Sequence, residues 1–335
     1  MDENKWIIDT DPGCDDMIAI FYLLTKLKGN IDLISITQGN CKFTDATRNI
    51  KRILSILNYQ PLVMCGSNPI IQGSTHCYSF HKDDGLGNIK EFQEINTESI
   101  KIFEGNSVFK IIELCLKNPK KVNIFSIGPV TNLALAFMIY PNIINLIGEV
   151  YLMGGSTHSR GNQNSLAEMN FGFDPISTKI VLNNYKNIVI CTWECCELIK
   201  IHSQDIKRMM EESKLIGSVV VNKQLYDAIV KILQVFDSDE GGLEICDFYS
   251  IITFFNKNVV TDFSLCLVNS TIDGCNEYGN GMLLAKKVQV KKGNYKDTLR
   301  SLKEQDKNSN YKVIVESIDP KICYEELCSI FLGFN

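Results

Sequence analysis

The stretch WIIDTDPGCDDMIAIFYLLTKL, residues 6–27, decides the fold. It opens with an apolar run, WIIDTD at 6–11, too short for a helix and continuous enough to read as a strand covered on both faces. It ends with MIAIFYLLTKL at 17–27, an apolar segment of helical length. Between them sits a turn that crowds Asp9, Asp11, Asp15 and Asp16 together. A strand that feeds a helix through one short turn is the opening unit of an α/β sheet.

The same alternation continues outward. Further strands are expected at IDLISIT (31–37), PLVMCG (61–66), VNIFSIG (122–128), EVYLMGG (149–155) and KNIVICTW (186–193). ATRNIKRILSIL, SVFKIIELCLK, TNLALAFMI and DPISTKIVLNN read as the intervening helices, several opened by Ser, Thr or Asp in capping positions. Residues 203–237 read as largely helical, and 283–317 as two more strands around a polar insert, KKGNYKDTLRSLKEQDKNSN. No repeat and no Pro/Gly-rich linker divides the chain, so residues 1–335 are expected to form a single domain, an open α/β sheet flanked by helices.

Composition narrows the function. With 335 residues, 45% of them apolar and 22% charged, the chain can bury an ordinary globular core. A formal net charge of −5, with the charges well mixed, argues against nucleic acid or an anionic membrane as partner. No apolar stretch is long enough to span a bilayer, and MDENKW lacks the features of a signal peptide, so a cytoplasmic location is expected. Thirteen scattered cysteines in such a chain read as small buried apolar residues rather than a disulfide framework, and the adjacent pair Cys195-Cys196 has poor spacing for zinc.

The aspartates sit where an open α/β sheet binds its ligands, beyond the carboxyl end of a strand. Asp15 and Asp16 would fall in the first turn of the following helix, where the macrodipole favours carboxylates. That accounts for one or two of the four. Carboxylates this close repel one another unless one is protonated or a cation lies among them, and a hard divalent ion is the simplest solution.

DTDPGCDD resembles the D-x-D-P-G-x-D-D signature of the inosine-uridine-preferring nucleoside hydrolases. Other family motifs follow in order between about residues 6 and 290: TQGN (37–40), HKDDGLGN (81–88), SIGPVTNLALA (126–136), MGG (153–155) and GNQNSLAEMNFGFDP (161–175). The resemblance implies a Rossmann-like, mostly parallel sheet that hydrolyses the N-glycosidic bond of a ribonucleoside with a bound Ca2+. It implies Asp11 as a calcium ligand and as the base for the attacking water, with Asp16, Asp247 and the Ile127 carbonyl completing the metal site. Asp15, Asn40, Asn162, Glu168 and Asn170 would hold the ribose, Met153 would pack under the sugar, and Asp9 would support the cluster from behind. It also implies a homodimer or homotetramer. Anionic and amide oxygens suit this reaction because the sugar becomes oxocarbenium-like as the bond breaks.

The chain departs from the family where a His-Asp-Pro run usually carries the acid that protonates the leaving base. Here the run is Cys246-Asp247-Phe248. Cys246 reads either as a replacement acid or as a buried apolar residue, and His81 is a second proton source. Trp6 and Trp193 read as core, while Phe80, Phe171, Tyr226 and Tyr249 are candidates to face the base or to pack. Asn132 reads either as a helix cap or as a substrate contact. Two rival readings remain. An aspartyl-phosphate enzyme would leave Asn162, Glu168 and Asn170 without a use, and a nucleoside-binding protein without turnover would account for the missing His.

Overall fold

In the computed structural model the described residues are 4–69, 79–157, 161–197, 199–215, 219–220, 223–239, 241–269, 283–291, 310–330 and 332–333. Strands β1 (Lys5–Thr10), β2 (Leu33–Ile36), β3 (Val63–Cys65), β4 (Val122–Ser126), β5 (Ile147–Met153) and β6 (Ile188–Cys191) lie parallel in the order β3-β2-β1-β4-β5-β6. β7 (Val219–Val220) pairs with β11 (Leu332–Gly333) in a separate two-stranded sheet. Among the described residues the main sheet has nine strands. It is extended past β6 by β10 (Tyr311–Ile318), which is parallel to β6, and then by β8 (Val260–Asn269) and β9 (Leu283–Lys291), which are antiparallel.

This is the mostly parallel α/β architecture expected from the alternation of runs and helices. β1 shows why its run is apolar throughout: Trp6 and Ile8 enter the core on one face of the sheet, and Ile7 enters the core on the other. The connection order reverses beside β1, which has β2 on one side and β4 on the other. Ligand crevices of such sheets open at that switch point.

Aromatic packing sets the helices that complete the crevice. Trp6 stacks on Phe125 at 5.8 Å and meets Phe254 edge-on at 5.1 Å, so helix Cys246–Phe255 is held against the sheet. Tyr22, on helix Cys14–Lys26, meets Phe248 edge-on at 5.1 Å. These two helices, whose first turns carry Asp15 and Asp16 on the one and Asp247 on the other, are thereby locked to each other.

Some expectations need correction. β6 ends at Cys191, and Trp193 opens a short helix, Trp193–Glu197, because the turn closes with Cys195 N–H donating to Thr192 O at 3.1 Å. Trp193 is half-buried and not core, whereas Trp6 is core. β8 was not anticipated. Helix Ser107–Lys117 is capped by Asn106, whose side chain accepts from Val108 N–H. Residues 292–309 of the polar insert lie outside the described residues. Among the described residues, no helix is long and apolar enough to cross a membrane.

Candidate active site

The turn after β1 places its carboxylates by local hydrogen bonds. Asp16, in the first helical turn, accepts from Gly13 N–H at 2.9 Å through Oδ2 and from the Thr10 hydroxyl through Oδ1. Asn40, just beyond β2, donates its side-chain N–H to Asp16 Oδ2 at 2.9 Å and its backbone N–H to Asp11 Oδ2 at 2.8 Å. Asp11 is wedged between two glycines: a Cβ on Gly39 would lie 2.0 Å from its Oδ2, and one on Gly128 2.5 Å from its Oδ1. Glycine is needed at both positions for close approach rather than for backbone freedom.

Asp247 enters from the first turn of helix Cys246–Phe255. Asp15, Asp16 and Asp247 each bring an oxygen within 4.8 Å of the others. Burial, followed by mutual repulsion, pushes the carboxyls of Asp11 and Asp247 well above the usual range. Burial also raises Asp15 and Asp16 to about 6. Behind them Asp9 is raised to about 6 by burial, against hydrogen bonds from Ser35, Asn132 and Ser126. Asn132 donates to Asp9 Oδ1 at 2.8 Å and accepts from Ser67 N–H at 2.9 Å, so it braces Asp9 and does not cap its helix.

A cleft of about 210 Å³ opens above this floor. Its polar lining includes Asp15, Asn40, Asn162, Glu168, Asn170 and Asp247. Glu168 caps the turn Met169–Phe173, accepting from Asn170 N–H at 2.8 Å and Phe171 N–H at 3.2 Å, and it also accepts from Gly155 N–H at 2.8 Å. Burial lifts its carboxyl to about 7. Asn162 accepts from Met169 N–H at 2.7 Å. Asn170 donates to the carbonyls of Ile127 at 3.3 Å and Met153 at 3.2 Å, tying the ends of β4 and β5 together.

Phe80, His81, Trp193, Lys200, Glu244 and Cys246 also line the cleft. His81 accepts from Cys14 N–H at Nδ1 (3.3 Å) and places Nε2 3.5 Å from Asp15 Oδ1, while burial lowers its pKa to about 4. Burial thus favours the neutral form of the ring. The Cys246 thiol donates to Glu244 O at 3.8 Å and is pushed up to about 12 by burial. Behind it, Cys196 contacts Cys246 and Cys191, which places the Cys195-Cys196 pair in an apolar packing layer.

Residues 6–325 match the sequence model of a family described as "Inosine-uridine preferring nucleoside hydrolase". The chain belongs to this family. The inosine-uridine preferring nucleoside hydrolase of Leishmania major is 32% identical over 192 residues, covering 56% of this chain and 59% of that protein. A protein of Arabidopsis thaliana named "Probable uridine nucleosidase 2" is 30% identical over 247 residues, covering 70% of each. The purine-preferring ribonucleoside hydrolase of Gardnerella vaginalis shares the fold, with a TM-score of 0.77, 21% identity and 97% of each chain covered.

Set against the pattern of the nucleoside hydrolase family, the expected residues converge on one place. Asp11 and Asp16 form the floor through Asn40, while Asp15, Asn40, His81, Ile127, Met153, Asn162, Glu168, Asn170, Cys246 and Asp247 line the cleft. The carboxylate trio that could hold a metal ion includes Asp15, however, and Asp11 stands outside it. Of the aromatic candidates, Phe80 lines the cleft, Phe171 and Tyr249 are buried, and Tyr226 packs against the core. Trp193, Lys200 and Glu244 were not singled out as site residues from the sequence. Only Trp193, as one of two tryptophans, carried any signal there.

Proposed function

We propose that the protein hydrolyses the N-glycosidic bond of ribonucleosides, releasing ribose and free base, with Asp11, Asp16, Asp247 and the Ile127 carbonyl holding a calcium ion. One observation carries this reading. Asp11 Oδ1, Asn40 Oδ1 and Asn170 Oδ1 are buried side-chain oxygens with no hydrogen-bond donor. Each such oxygen costs about 1–3 kcal/mol if left unsatisfied. Acceptors gathered from the turn after β1, from beyond β2 and from the turn after β5 call for a ligand rich in hydroxyl donors and for a cation. A ribose supplies the first and a dication the second. The donors are carboxylate, amide and carbonyl oxygens in crowded array, which suits calcium better than magnesium, an ion that retains its waters.

When bound, the ion would neutralise the crowded carboxylates, acidify the attacking water and engage the ribose diol. The chain's own part follows from its contacts. Asp11 has one oxygen fixed by Asn40 N–H and the other buried without a donor, so Oδ1 is the atom that would take the proton of the attacking water. Asp15, Asn40, Asn162, Glu168 and Asn170 orient the sugar hydroxyls, and their negative charge and dipoles stabilise the cationic sugar more than the neutral substrate. Met153, Phe80 and Trp193 line the same cleft, where Met153 would pack under the sugar and the two aromatic rings would face the base. The exposed side chains Phe109 and Leu116 on helix Ser107–Lys117, with Met138 and Ile139 on helix Thr131–Ile139, would contribute apolar surface to a homodimer or homotetramer.

Incubating the protein with inosine, uridine and 4-nitrophenyl riboside in calcium tests this function. Reducing sugar should appear from at least one of them, and none from any would overturn the proposal. Gly39→Ala should cut turnover about 100-fold and lower stability by about 1–3 kcal/mol, because the new methyl would displace the Asp11 carboxylate. Wild-type rates in that variant, measured beside a urea melt, would contradict the assigned place of Asp11.

A further inference from the structure

The cleft is lined by carboxylates and amides suited to the sugar, but the two groups first expected to help the base depart are turned to other partners. The Cys246 thiol points to Glu244 O, and both ring nitrogens of His81 face protein groups, Cys14 N–H and the Asp15 carboxylate. Breaking the bond leaves the electron pair on a base nitrogen, and that charge needs a donor or a cation nearby. Among the described residues lining the cleft, Lys200 is the one Lys or Arg side chain.

Its position is built rather than incidental. Ile201 and Leu243 form an isolated antiparallel bridge, with Ile201 N–H to Leu243 O at 2.9 Å and Leu243 N–H to Ile201 O at 3.0 Å. The backbone on either side is anchored by tyrosines: Tyr249 donates its hydroxyl to Ile199 O at 3.1 Å, and Tyr324 donates to Lys200 O at 3.1 Å. The bridge sets Lys200 beside Glu244, Nζ to Oε1 at 3.3 Å, with the Glu244 side chain only 12% exposed. Glu244 lies two residues before Cys246 and three before Asp247, so the pair is fastened to the same segment that carries the carboxylate of the floor.

We infer that Lys200, oriented by Glu244, donates a hydrogen bond to the departing base and stabilises the negative charge it takes on as its bond to the sugar breaks; this rests on the proposed hydrolysis. The C–N electron pair leaves with the base. The ammonium keeps its proton, the base takes one from solvent after release, and the proton of the attacking water passes through Asp11 to solvent. Lys200 touches substrate in this scheme, and Glu244 is a positioning residue.

The test compares leaving groups. Lys200→Met should lower kcat/KM for inosine and uridine by about 100-fold, the usual loss for one charge-stabilising donor. It should lower that for 4-nitrophenyl riboside far less, because nitrophenolate is a stable anion. Lys200→Arg should recover at least tenfold of the loss, and Glu244→Gln should reproduce part of it in kcat rather than KM. Equal losses on all three substrates, or no loss on any, would overturn the inference while leaving the proposed hydrolysis standing. A wild-type protein that acts on none of them would remove both. Retained nitrophenyl riboside turnover shows at once that the variant is folded.

Discussion

Stripping divalent cations with a chelator, then removing the chelator, will abolish ribonucleoside hydrolysis, and calcium will restore it. The same treatment will lower the melting temperature at pH 7.5. In the absence of a cation, Asp11, Asp15, Asp16 and Asp247 are buried beside one another with their carboxyls held above the usual range, Asp15 and Asp16 at about 6. A carboxyl whose folded pKa lies above its unfolded value binds more protons in the folded state, so stability declines as pH rises. For Asp15 and Asp16 the decline runs from about 4 to a little above 6. A dication relieves that repulsion, and protons compete with it. At a thousandfold excess over Kd the ion adds about 4 kcal/mol, a rise on the order of 5–10 °C for a chain of this size. The calcium-induced rise should be larger at pH 8 than at pH 5. Full turnover in the stripped protein, or an equal rise at both pH values, would remove the metal from the site.

The features legible in the sequence are those decided locally. The turn after β1 reveals itself because strand, carboxylates and helix are contiguous, and strands β1–β6 because a parallel sheet covered by helices calls for apolar runs. β8 lacks that signature, since Thr261, Asp262 and Ser264 break its apolar run, and its antiparallel partners tolerate the mixture. Trp193 was misplaced by two residues of strand end, enough to move its ring from core to cleft wall. Asp247 could be assigned only through the family motif, because its approach to Asp15 and Asp16 depends on Tyr22 packing against Phe248 far along the chain. Lys200 and Glu244 carry no sequence signal at all. They are ordinary charges that meet through a bridge of one residue pair. Gly39 and Gly128 acquire a reason only when the Asp11 carboxylate is seen lying between them.

Asp11→Asn is expected to separate activity from stability. The amide is nearly isosteric with the carboxylate, so it fits between Gly39 and Gly128 and can still accept from Asn40 N–H. It cannot take a proton from water, and it weakens the hold on calcium. A lost general base alone removes about 10²–10⁴-fold in rate. Loss of a metal ligand at the same atom takes the expected decrease to at least about 10⁴-fold in kcat, for inosine, uridine and the nitrophenyl riboside alike, because attack by water is required for all three. In stripped protein the same change should raise the melting temperature, since the Asp11 carboxyl is disfavoured first by burial and then by Asp16 and Asp15. A variant that keeps more than a hundredth of wild-type turnover would show that Asp11 is not the base. One that is inactive but no more stable than wild type after stripping would show that the crowding of charge at this turn is relieved by something other than a bound cation.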